Sequence, residues 1–143
     1  MMEQFHEPRV LDDRDPQGVA FGLIQAFRDA DDDTLKRLLA AAVGRGPVLF
    51  ADTVRLLVDL AVPHQVSFEV SGPRQAHRRV QGLILARGIG LYELFDEIVA
   101  TIRGFDAHVQ AVHLAVLTQL VAGLVDAGHV HVPGVVFAEG SRS

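Results

Sequence analysis

A chain of 143 residues with 49% hydrophobic and 22% charged side chains can enclose one hydrophobic core and is too apolar to stay unfolded. It has no Cys, which excludes thiol catalysis, thiolate metal sites and disulfides together and suits a reducing cytoplasm. Its formal net charge of −5 disfavours a dedicated nucleic-acid binder, because phosphate attraction supplies most non-specific affinity.

Residues 1–14 carry charge and lack the apolar centre of a secretory signal, so a flexible arm is expected there. A single helical domain over 15–139 follows, with a disordered tail at 140–143. Asp15 before Pro16 combines a capping side chain with the residue best tolerated at the first helical position. Val19, Ala20, Leu23, Ile24 and Phe27 then recur at helical spacing. The acidic run Asp29–Asp33 closes this helix and opens another, in which Leu35, Leu38, Leu39 and Ala42 form the apolar stripe. Gly46-Pro47 starts a third helix to about Val62, apolar on most of its circumference, with Asp52, Arg55 and Asp59 on one side.

Val66, Phe68 and Val70 alternate with polar residues, the period of a half-buried strand. Ser71-Gly72-Pro73 restarts a helix to about Arg87, interrupted by Gly88 and Gly90. The next helix places Leu91, Leu94, Phe95, Ile98 and Ile102 inside, with Arg103 and Gly104 at its end. Asp106 caps a last helix through about Ala127 that is apolar on more than one face. Such a helix is either central to the fold or covered by a second subunit. Its longest apolar run, 111–125, is shorter than the roughly 20 residues of a bilayer span. Two β-prone runs around Pro133-Gly134 complete the pattern. The expected fold is mainly α, a compact domain of about six helices with a small strand or hairpin element near 65–70 and 129–138.

Motifs that would name a reaction are absent or broken. His108 and His113 are five residues apart, about 140° around a helix, and cannot chelate one ion together. His129 and His131 share a side if extended, which makes them weak metal candidates, half of a zinc site. His64 follows Pro63 at a helix-to-strand joint. Asp29, Asp31 and Asp33 imitate the start of a calcium loop, but Thr34 and Ala40 stand where Gly and Glu are required. Asp52 and Asp59 flank Arg55 and read as a surface ion-pair ladder. None of Ser67, Ser71, Ser141 and Ser143 lies in a nucleophile elbow. Gly88-Ile89-Gly90 and Gly44-Arg45-Gly46 lack the remainder of a nucleotide-binding signature. No catalytic residue and no cofactor is assigned.

The most distinctive surface feature is Arg74, His77, Arg78 and Arg79 in the first turns of a helix, where cations oppose the dipole. They offer an anion- or partner-binding patch, or else a solvated face salt-bridged to the chain's own aspartates. The segment LTQLVAGLVDAG (117–128) with the β-prone run after it resembles the last helix and wing of a winged-helix module. That resemblance implies a helix in the DNA major groove, yet no Lys or Arg lies between Arg103 and Arg142, so protein rather than DNA would be its partner. Three readings follow: a self-associating interaction or adaptor domain, dimeric by preference; a nucleic-acid-associated regulator using 74–79; and a small metal-dependent or ligand-binding enzyme using His129 and His131.

Overall fold

The computed structural model describes residues 9–11, 13–64, 73–133 and 135–137. Within them are six helices and two short strands. The order is β1 (Arg9–Leu11), α1 (Pro16–Arg28), α2 (Asp32–Gly44), α3 (Pro47–Ala61), α4 (Arg74–Gly88), α5 (Tyr92–Arg103), α6 (Ala107–Asp126) and β2 (Val135–Phe137).

Local signals set the helix boundaries. The Asp15 carboxylate accepts from the Gln17 N–H at 2.9 Å, and Pro16 opens α1. Ala30 then takes φ 57°, and the Asp31 N–H reaches back to the Ala26 carbonyl at 2.9 Å. Asp31 caps α2 through the N–H and hydroxyl of Thr34 (3.2 and 2.7 Å), the interhelical use of the acidic run that its failed calcium spacing implies. These two bonds hold the Asp31 carboxyl below the usual carboxylate range. Asp106 caps α6 by accepting from the Val109 N–H at 2.9 Å.

α6 is the central helix. It packs against α1, α2, α3, α4 and α5, while α1, α2 and α3 pack on one another and α4 pairs with α5. Its buried positions run from Val116 through Leu120, Leu117 and Thr118 round to Ala122, about 240° of the helix at 100° per residue. At 20 residues α6 has the length of a bilayer span, but 56% of its most apolar window is buried inside the fold. α3 is covered in the same way, with Phe50, Leu57 and Val58 fully enclosed. Each such side chain contributes about 1.5–3 kcal/mol through burial. The apolar character of both helices is therefore mostly satisfied within one chain.

Polar ties pin the helices at chosen points. Arg103 donates to the Val43 carbonyl (3.1 Å) and to Gln110 Oε1 (2.7 Å), and its guanidinium lies 5.2 Å from the Phe50 ring centre. Gln110, 7% exposed, uses its amide on the carbonyls of Arg103 and Phe105. Asp13, also 7% exposed, holds Arg45 at 2.8 Å. Arg28 joins α1 to Asp126 at the end of α6. The expected ladder on α3 is divided: Asp52 holds Arg55, but Asp59 holds Arg87 of α4 at 2.7 and 3.3 Å.

The β element differs from the expectation. Among the described residues of 129–138 no hairpin is seen: residues 129–133 are irregular, and β2 pairs in parallel with β1, Arg9 opposite Val135 and Leu11 opposite Phe137. Pro133 lacks the N–H a ladder needs, and Pro-Gly favours a turn whose twist splays two strands. The alternation in 129–132 is nevertheless real, since Val130 is buried while His129 and His131 are exposed. Among the described residues after α6, the wing implied by the winged-helix resemblance is not seen. The strand expected at 65–70 lies outside the described residues.

Candidate interaction surface

α4 has two faces of different use. Ala76, Val80, Leu83 and Ala86 are buried against the body. On the opposite side Arg74, Arg78, Gln81, Leu85 and Ile89 fall within about 80° of one another at helical spacing, and all five are exposed. One stripe is thus basic in its first half and apolar in its second. Leu85 and Ile89 are 64% and 61% exposed.

The apolar half continues across the turn into α5, where Leu91, Tyr92 and Leu94 are exposed as well. Gly90 at φ 81° makes that turn, and the Leu91 N–H bonds the Ala86 carbonyl at 2.8 Å, folding the start of α5 against the end of α4. Arg87 fixes the corner from beneath. Its guanidinium, hydrogen-bonded to Asp59, lies 5.1 Å from the Tyr92 ring centre and 5.4 Å from that of Phe95. Gly90, Leu91, Tyr92, Glu93, Leu94 and Glu97 line a depression of about 370 Å³ beside it. The expectation that Leu91 and Leu94 face inward is corrected here; Phe95, Val99 and Ile102 are the buried side of α5. Both leucines fit the helical period, but they lie at the start of α5 on its exposed side.

The four residues of the basic patch separate. Arg74 and Arg78 point outward, and among the described residues neither has an acidic partner; His77 is half-buried. Arg79 turns toward α6, where its Nη1 donates to His113 Nε2 at 3.2 Å and its guanidinium lies 4.6 Å from the Phe105 ring centre. His113, 3% exposed, stacks on Phe105 and donates from Nδ1 to the Val109 carbonyl at 2.8 Å. Burial first, and then the Arg79 charge, push the His113 pKa below its ordinary 6.5, against the opposite pull of the Val109 bond.

The other described histidines form one pair. His129 lies beside His64, with ring centres 5.5 Å apart, rather than with His131. Among the described residues no three His, Asp or Glu side chains are grouped so as to hold a metal ion. His108 is exposed on the rim of an apolar groove of about 550 Å³ between α2 and α6, opposite Lys36.

The sequence reading missed the α4–α5 corner. Its one signal was Leu85 on the polar side of an amphipathic pattern. Comparison with known proteins finds no matching family model, no matching curated protein and no matching solved structure.

Proposed function

We propose that this chain is a helical protein-interaction domain, adaptor or regulatory in role, that self-associates as a dimer through the α4–α5 corner. The observation that carries this reading is the run of exposed large apolar side chains at Leu85, Ile89, Leu91, Tyr92 and Leu94. A contiguous apolar patch rimmed by charge marks an interaction site more often than a bare surface. Tyr92, braced by Arg87, has the character of an interface anchor: large, amphipathic and with few rotamers to lose. The Cys-free composition fits a cytoplasmic setting.

Amide hydrogen exchange tests the site. Exchange at residues 85–94 slows as protein concentration rises, while exchange in α2 does not change. Concentration-independent exchange across the corner would remove it as the interface.

A second reading has its own support. Arg74 and Arg78 have no described acidic partner, and α4 begins at Pro73 with no capping side chain. A nucleic-acid-associated regulator would place phosphates there. Binding of a duplex oligonucleotide that weakens steeply with salt, and vanishes on reversing both arginines, would favour it; no binding at low salt would end it.

A further inference from the structure

The ends of α3 and α6 meet at a pair of histidines. His64 stands three residues beyond Ala61 and His129 three beyond Asp126, and their ring centres lie 5.5 Å apart. Both are positioned by the helix ends themselves. Gly128 at φ 82° reverses the chain after α6, and the His129 N–H returns to the Leu124 carbonyl at 2.9 Å, a Schellman closure. Val130, next in the chain, is buried in the core and anchors the histidine before it. The His64 N–H bonds the Ala61 carbonyl at 3.0 Å. The two imidazoles therefore hang from rigid elements, which preorganises them toward a shared ligand.

The same place lacks a cation. A helix C-terminus carries roughly half a negative charge, which a basic side chain in the last turn offsets. Arg28, Arg87 and Arg103 fill that role in α1, α4 and α5, whereas the last turns of α3 and α6 hold no basic residue. Arg28 does approach the end of α6, but the Asp126 carboxylate holds it there.

We propose that His64 and His129 form a two-imidazole site for a divalent transition-metal ion such as zinc, which clips the end of α3 to the end of α6. Imidazole nitrogen suits such ions, whereas magnesium and calcium take oxygen. With Zn–N bonds of about 2.0–2.1 Å, two rings on one tetrahedral ion have centres about 5 Å apart. The observed spacing is close to this, and rotation about the broad χ2 torsion of each side chain aims one nitrogen per ring at a common point without moving the backbone. Solvent fills the remaining positions, since no third His, Asp or Glu is grouped with the pair among the described residues. No residue of this site belongs to the α4–α5 corner.

The test uses the full-length chain, stripped with a chelator and titrated with zinc chloride while its imidazole proton resonances are followed. Those of His64 and His129 shift together and saturate at one ion per chain; those of His108 and His131 stay in place. His64→Ala and His129→Ala each lower the affinity at least about tenfold, since losing even an outer-shell partner costs about 10–100-fold, and His131→Ala leaves it unchanged. Zinc raises the thermal unfolding midpoint of the wild type, increasingly so as free zinc rises, and chelation reverses the gain. Magnesium chloride does neither. A wild-type spectrum unmoved by millimolar zinc overturns the site without recourse to any variant. An equal loss of affinity in His131→Ala, or saturation at one ion per two chains, overturns it as well.

Discussion

His113 has one arrangement of protons that satisfies its surroundings. A carbonyl can only accept, so Nδ1 carries the hydrogen toward Val109 and Nε2 is left to accept from Arg79. A second proton would enter at Nε2, facing a guanidinium in a buried site. The unfolded chain binds that proton near pH 6.5, and the folded chain only at lower pH. Below about pH 6.5 the unfolded state therefore holds more protons, and stability falls as pH falls until the folded pKa is passed. Urea denaturation midpoints are expected to decline between about pH 7.5 and 5.5, and less steeply in His113→Gln. An unchanged slope in that variant would contradict the lowered His113 pKa. Thr118 makes a simpler case: it is fully buried on α6, and its hydroxyl has no hydrogen-bond partner among the described residues. Thr118→Val keeps the shape and removes the unpaired hydroxyl, so thermal unfolding should show a gain of about 1 kcal/mol.

At the scale of elements, the α1–α2 turn stores strain in a residue unsuited to it. Ala30 at φ 57° lies in the left-handed region, which costs a non-glycine residue about 1–2 kcal/mol. Glycine removes that strain and adds about 0.5–1 kcal/mol of unfolded-state entropy. Ala30→Gly is accordingly expected to stabilise by about 0.5–1 kcal/mol, read as a raised unfolding midpoint. Helix boundaries were legible in the sequence because their causes are local: Asp15, Asp31 and Asp106 cap as their neighbours require. The β element was not, because pairing β2 with β1 joins segments from opposite ends of the chain. Periodicity placed Leu91 and Leu94 inward but cannot say where a helix overhangs its neighbours. The candidate site was legible in part. Arg74 and Arg78 followed from helical spacing, but the turn of Arg79 toward His113 depends on how α4 meets α6, and no motif in either helix records it.

For the whole molecule, the position of α6 changes the grounds for self-association. A helix this apolar invites a second subunit, but five neighbouring helices already cover it. Apart from Val48 on α3, Phe27 on α1 and the groove between α2 and α6, the exposed large apolar side chains lie at one corner, on a chain whose other described arginines are largely engaged within the fold. That corner can be altered without touching the core, since Leu85 faces away from every buried residue of α4. Light scattering over a dilution series, run on the wild type and on Leu85→Asp, tests this claim most directly. The wild-type mass should rise from that of one 15.5 kDa chain to that of two as concentration increases, with the variant remaining at one. A wild type that stays at one chain throughout, or a variant that associates as well as the wild type, would contradict the account.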